Sequence, residues 1–277
     1  MIRALLREIL AMKNSKLDPS NFIFNWKDSN STEPIINTLR NYGGVCIKGI
    51  FNEEDIKDSF KIKWLYETYF SDKTVYIDVN KKRYEDLSGP FLRGQEISFT
   101  SNKLGKKKFI SPDKGIVDIF KSELNISQLN IIKSLNLITF PIIQDAFPNL
   151  FKKGFSNLYL YKNVSTPRCF HRDGFLPRLK VFLILKGASN LDQGPYAFHP
   201  LSHKNKFFRF KLTSATNKIF GSDLGCSTSD STFCSYKNLV PFFTNVGDVL
   251  ITRQDCTHGD FPAKVPHKKA MVVINYF

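Results

Sequence analysis

Phe170-His171-Arg172-Asp173-Gly174 is the stretch on which the reading of this chain turns. His171 and Asp173 are two residues apart. On a β-strand that spacing puts both side chains on one face, because successive residues alternate sides. Far downstream, His258 stands directly before Gly259. A histidine delivered there at a strand end completes a set of two imidazoles and one carboxylate. Such a set occupies one face of an octahedral Fe(II) and leaves the opposite positions open. An HxD pair alone is a weak signal, so its surroundings decide.

Around the pair the sequence reads as short strands. Asn157-Leu158-Tyr159-Leu160-Tyr161 alternates, and Leu179-Lys180-Val181-Phe182-Leu183-Ile184-Leu185 is a dense apolar run. Tyr196-Ala197-Phe198-His199 follows a turn at Gly194-Pro195. Asn245-Val246-Gly247 feeds Asp248-Val249-Leu250-Ile251-Thr252, the strand that delivers His258, and the chain closes on Ala270 to Phe277. Strands and turns without long intervening helices predict an antiparallel barrel or jelly roll over residues 151–277. Residues 1–150 read as mostly helical support. A helix is expected over Glu33–Asn41, a short strand over Gly43–Phe51, and a helix from Asn52 to about Tyr69 with acidic residues at its positive end. A further helix, Ser127–Asp145, is expected to break at Pro141. Met1–Leu10 reads as a short amphipathic helix. The expected class is mainly β with α, in a single domain over 1–277.

Composition narrows the function. The chain has 277 residues, 42% of them hydrophobic, with 26 Phe and 10 Tyr to fill a core. No run is expected to span a bilayer. Cys46, Cys169, Cys226, Cys234 and Cys256 are dispersed with no CxxC pair, the pattern of reduced thiols in a cytoplasmic protein. Cys169 and Cys256 each precede a candidate ligand by two residues. The net charge of +15 points to an anionic partner. Its lysines are scattered, apart from Lys106-Lys107-Lys108, and no aromatic-basic or zinc-finger pattern accompanies them. Nucleic acid is therefore an unlikely partner, and a small anionic substrate is favoured.

Further features gather around the HxD pair: Gln193-Gly194-Pro195 through Ser202-His203-Lys204, the Gly247-Asp248 turn, and Lys268-Lys269 shortly after His258. Together with Tyr42–Phe51 ahead of an acidic helix start, these residues make the sequence resemble the phytanoyl-CoA dioxygenase-like branch of the Fe(II)/2-oxoglutarate oxygenases. The resemblance implies a double-stranded β-helix (jelly-roll, cupin-like) core with a helical N-terminal layer. It implies Fe(II), 2-oxoglutarate as co-substrate, and O2. By position it makes His171, Asp173 and His258 the metal ligands. The family usually places Arg on the last strand for the distal carboxylate of 2-oxoglutarate; this chain offers Lys268 or Lys269, which keeps the charge and loses the bidentate fork. Lys268 is favoured on register. Tyr159 and Tyr161 are candidate hydroxyl donors to the co-substrate.

The function implied is hydroxylation of a small organic substrate with release of succinate and CO2. Halogenating relatives have a small residue where this chain has Asp173, so chlorination is not expected. Alternatives are a cupin-type metal-binding protein without 2-oxoglutarate chemistry and a basic nucleic-acid-binding protein. His267 competes for the third ligand position but reads as an exposed residue beside Pro266. His199 and His203 read as structural. Phe175, Phe182, Phe198 and Phe261 are candidate pocket walls.

Overall fold

The computed structural model describes residues 17–27, 31–76, 89–93, 96–101, 105–110, 114–120, 123–165, 167, 170–173, 176–204 and 236–277. The expected helix at Met1–Leu10, three of the cysteines (Cys169, Cys226, Cys234) and Phe175 lie outside them. The strands are β1 (Ile23–Asn25), β2 (Gly44–Lys48), β3 (Pro90–Leu92), β4 (Glu96–Ser101), β5 (Gly105–Ile110), β6 (Ile116–Phe120), β7 (Lys153–Lys162), β8 (Leu179–Lys186), β9 (Tyr196–Phe198), β10 (Val240–Phe242), β11 (Val249–Arg253), β12 (His258–Asp260) and β13 (Lys268–Tyr276). The helices are α1 (Glu33–Tyr42), α2 (Glu53–Phe60), α3 (Ile62–Tyr69) and α4 (Ile126–Ala146).

An eight-stranded sheet, in the order β1-β2-β11-β8-β13-β7-β6-β3, forms the large layer. Only β1 and β2 pair in parallel within it. A three-stranded sheet, β10-β9-β12, faces its inner side. Strand alternation explains both layers. On β8, Val181, Leu183 and Leu185 face outward, while Phe182 and Ile184 face the small sheet. On β13, Ala270, Val272 and Ile274 face out; Met271 and Val273 face in. Both faces are covered, which is why these strands read as unbroken apolar runs. Phe198, Val240 and Phe242 of the small sheet close the interior against Tyr159, Phe182 and Leu250.

The outer face is covered by helices. Ile35, Ile36 and Leu39 of α1, Ile56 and Phe60 of α2, Leu65 of α3, and Ile132, Leu135 and Ile143 of α4 pack on it. The first 150 residues therefore do supply helices, but they also supply strands. β2 and β6 belong to the large sheet itself, so this region is more than a helical support.

Two helix expectations change. The helix after Asn52 is divided at Lys61, which adopts φ 41° in the left-handed region, leaving α2 and α3 as separate pieces. The helix around Pro141 continues unbroken through it. Pro141 offers no N–H to the carbonyl of Leu137, but Leu137 is 65% exposed, where water can take over. α4 opens with a capping box between Asn125 and Gln128. By length and composition alone it is apolar enough to cross a membrane, contrary to the expectation that no run is; here its buried residues pack on the domain core.

The turn before β11 requires glycine. Gly247 has φ +85°, and an added Cβ would stand 2.0 Å from the Phe51 carbonyl oxygen. Asp248 then accepts from the Asn245 and Gly49 N–H groups (2.7 and 3.1 Å) and pairs with Lys48 at 2.8 Å, tying the turn to the end of β2.

Leu183 is fully buried on the outer face, between Val249 and Val272. Leu183→Ala is expected to lower unfolding free energy by about 2–5 kcal/mol, read from the midpoint of urea denaturation.

Candidate metal centre

His171 and His258 are joined first by their backbones. They form an isolated antiparallel bridge in which the His171 N–H donates to the His258 carbonyl (2.9 Å) and the His258 N–H donates to the His171 carbonyl (2.8 Å). The Asp173 N–H donates to the Gln254 carbonyl (3.0 Å), fixing the third residue to the end of β11. The segment containing Ser202-His203-Lys204 braces the same place. Ser202 Oγ accepts from the Thr257 N–H at 2.8 Å, and the His199 N–H donates to the Thr257 carbonyl at 2.8 Å, directly before His258.

The side chains converge. Asp173 Oδ1 lies 3.4 Å from His171 Nε2 and 3.8 Å from His258 Nε2, and all three donor atoms fall within 4.8 Å of one another. Ligands at right angles around an ion about 2.1 Å away stand about 3 Å apart, so a small closure would seat a metal. His258 Nδ1 lies 2.9 Å from the Cys256 carbonyl. A proton on Nδ1 donated to that carbonyl leaves the Nε2 lone pair facing the other donors. Two imidazoles and a carboxylate on one side of a cavity fit a divalent transition ion.

Electrostatics hold the donors in ligand form. Burial, with His171 and Lys180 beside it, pushes the His258 imidazole down to about 3 against the opposing pull of Asp173. Burial alone would raise the Asp173 carboxyl, but Lys180 and the two histidines outweigh it and hold the group well below the usual carboxylate range. The carboxylate is divided between two tasks: Oδ1 faces the imidazoles, while Oδ2 receives Lys180 Nζ at 2.5 Å. Lys180 thereby orients a ligand without being one.

The triad lies in the wall of a cavity of about 1170 Å³, lined also by Tyr159, Tyr161, Phe182, Tyr196, Gln254 and Asn275. Tyr196 packs over His258 (centroids 6.0 Å apart) and exchanges a hydrogen bond with Thr252 Oγ1 at 3.0 Å. Gln254 Nε2 donates to the same Thr252 oxygen at 2.9 Å. Arg93 donates to Asp118 Oδ2 through Nε (3.2 Å) and Nη2 (2.9 Å), and its guanidinium lies 4.9 Å over the Tyr159 ring. Lys180, Tyr196 and Thr252, which the sequence placed on strands, and Gln254, Arg93 and Asp118 are site residues that the sequence did not assign to the site. One signal was available: Lys180 is the single charged residue inside the apolar run Leu179–Leu185.

The structure separates the two candidate lysines. Inward positions on β13 have odd numbers, so Lys268 faces out, exposed, with its ammonium 5.0 Å over the Tyr66 ring. The favoured register for Lys268 thus puts it on the wrong face for an interior contact. Lys269 is 7% exposed. Its Nζ donates to the Gly194 carbonyl at 2.6 Å, pairs with Asp260 at 3.0 Å and lies 4.5 Å over the Tyr161 ring. His267 is half-buried and bonded to the Gly187 carbonyl (2.8 Å), away from the triad. Cys256 does not line the cavity; its Sγ lies 3.4 Å from His203 Nδ1. Gly259 lines the cavity beside His258 and gives room to the Phe170 ring, 3.1 Å from where its Cβ would stand. Phe182 lines the cavity, Phe198 belongs to the interior core, and Phe261 packs on Phe170.

No protein-family model matches the sequence, and no curated protein matches it. Solved structures do match the fold. AviO1 from Streptomyces viridochromogenes superposes with a TM-score of 0.54 at 14% identity, over 89% of this chain and 94% of that one. EvdMO1 gives 0.51 at 13% identity, over 87% of this chain and 48% of that one. HygX from Streptomyces hygroscopicus, solved with nickel and 2-oxoglutarate and again with hygromycin B, gives 0.50 at 11% identity, over 87% and 85%. At these identities the likeness is one of fold.

Two outcomes follow. The unfolded chain protonates His258 near the ordinary imidazole value of about 6.5, the folded chain only near 3. The stability linked to this group is complete above about 6.5 and is lost as pH falls toward 3. Metal-free protein is therefore expected to melt at progressively lower temperature over that interval. His258→Gln should flatten the dependence in a pH series of thermal melts. Separately, Lys180→Met should weaken Co(II) binding about tenfold or more, followed by the metal's visible absorption, with Lys180→Arg restoring most of it.

Proposed function

We propose that the chain is an Fe(II)- and 2-oxoglutarate-dependent dioxygenase that hydroxylates a small organic molecule, with release of succinate and CO2. The observation that carries this is the convergence of His171, Asp173 and His258 in the wall of a large cavity, with one face of the set turned to open space. The fold shared with HygX, which binds nickel and 2-oxoglutarate, supports it. Bound at the triad, Fe(II) with 2-oxoglutarate would supply oxidising power from O2, and one oxygen atom would go to the substrate and one to succinate.

The chain's own residues have distinct tasks in this reading. His171, Asp173 and His258 hold the ion, and Lys180 keeps Asp173 to one coordinating oxygen. Lys269, the buried cation on the inward face of β13 with its ammonium over the Tyr161 ring, meets the distal carboxylate of 2-oxoglutarate; its present partner is Asp260, two residues beyond His258 on the same face of β12. The incoming carboxylate takes over or shares the place of Asp260. Tyr161, under the Lys269 ammonium, walls this arm of the site, and Tyr159 lies on the same face of β7. Asp173 fills the third protein position, which favours hydroxylation over halogenation.

A second reading keeps the metal and drops the co-substrate. The Lys269–Asp260 pair favours it, since a lysine already neutralised has less to offer an incoming carboxylate. Succinate formation separates the two. Wild-type protein with Fe(II) is expected to convert 2-oxoglutarate to succinate with O2 uptake, and His171→Ala to abolish this. Lys269→Ala should raise the KM for 2-oxoglutarate at least tenfold, while Lys268→Ala should leave it unchanged. Metal-loaded wild type that forms no succinate would contradict the dioxygenase reading and favour the cupin-type alternative.

A further inference from the structure

A small part of the basic surplus of this chain gathers at the cavity. Inside the cavity each side-chain carboxylate among the described lining residues is matched by a cation: Asp118 by Arg93 at 2.9 Å, Asp173 by Lys180 at 2.5 Å, and Asp260 by Lys269 at 3.0 Å. The outer part of the same cavity is different. Lys133 from α4, Lys153 from the start of β7 and Arg178 just ahead of β8 line it, all three exposed. Neither Lys133 nor Arg178 has an acidic partner among the described residues. Three cations from three separate chain segments therefore surround one opening whose interior charges already cancel, and such an opening concentrates anions.

Arg178 is more than a waving surface charge. Its guanidinium lies 5.5 Å over the Phe277 ring, and that ring packs 5.8 Å from Phe155, which also lines the cavity. Stacking leaves the planar N–H fork free to grip an oxyanion by two bonds. The backbone ties this residue to the metal centre. The Arg178 carbonyl accepts from the Gln254 N–H at 2.8 Å, and the Gln254 carbonyl accepts from the Asp173 N–H at 3.0 Å. Lys180, which holds Asp173, is two strand residues further on, about 7 Å along the chain. An anion seated at Arg178 leaves the rest of a small molecule within reach of the triad, between the aromatic wall and the cavity interior.

Resting on the dioxygenase reading, we propose that the substrate carries an oxyanion, a phosphate or a carboxylate, gripped at the cavity mouth by Arg178 with Lys133, and that its apolar part runs inward past Phe155 and Phe277. Amines and polycations are rejected by the same mouth.

The test is direct binding to the full chain, with metal and without, using phenyl phosphate, phenylacetate and benzylamine as probes and ligand-observed NMR as the readout. The two anions should bind, benzylamine should not, and the stronger of the two identifies the oxyanion. Arg178→Glu should weaken anion binding at least tenfold, and Arg178→Gln, which removes charge without reversing it, by a smaller factor. Thermal melts confirm that both variants fold. Benzylamine binding as well as the anions, anion binding that survives Arg178→Glu, or anion binding displaced by 2-oxoglutarate and lost in Lys269→Ala instead, would each overturn the proposal. So would failure of both anions to bind. Iron-dependent 2-oxoglutarate consumption, measured on the same preparation, reports separately on the dioxygenase reading.

Discussion

The reciprocal pair of backbone hydrogen bonds between His171 and His258 is the constraint on which the site depends. It joins a residue in the segment between β7 and β8 to the first residue of β12, two places far apart in sequence. Because the bond is made by main chain, it fixes both Cα positions before either side chain is considered. The supporting contacts follow from it. Ser202 and His199 hold Thr257, Gln254 holds Asp173, and Gly247 with Asp248 sets the turn that launches β11 toward this junction. A loss at the junction would separate the ligands while leaving the apolar sheet able to form.

Charge is handled at the site by division of labour. A carboxylate among buried groups would ordinarily favour its protonated form, and a buried imidazole its neutral one. Here the second tendency is kept and the first reversed. Lys180 takes one oxygen of Asp173, the imidazoles face the other, and His258 stays neutral with its lone pair available. That is a donor set prepared for a cation, and the same cation-for-carboxylate matching recurs at Asp118 with Arg93 and at Asp260 with Lys269.

The parts legible in the sequence were those governed by local periodicity. The alternation of Asn157–Tyr161 and the apolar run of Leu179–Leu185 reappear as strands with the expected faces. The HxD pair does not lie on a strand: His171 makes an isolated bridge to His258 and Asp173 follows in irregular chain, so backbone bonds to His258 and Gln254, and not strand alternation, bring the two side chains together. The choice between Lys268 and Lys269 was not legible, because a one-residue change of register exchanges the faces of a strand and β13 carries a register shift between Ala270 and Met271. β6 escaped notice because Asp118 interrupts its apolar pattern; only the fold shows that Arg93 waits for it across the β3–β6 pairing region. Gln254 and Tyr196 gain their meaning from partners distant in sequence, which no window of residues displays; Lys180 stands only seven residues from Asp173, but the turn that brings the two together is not written in the spacing.

The central claim is that His171, Asp173 and His258 hold Fe(II) with positions open for 2-oxoglutarate. The most direct measurement is anaerobic: Fe(II) and then 2-oxoglutarate are added to metal-free protein and the visible spectrum is recorded. The account predicts a broad charge-transfer absorption in the wild type that is absent in His171→Ala. A wild-type protein that binds one equivalent of Fe(II) and shows no such absorption with 2-oxoglutarate would contradict it.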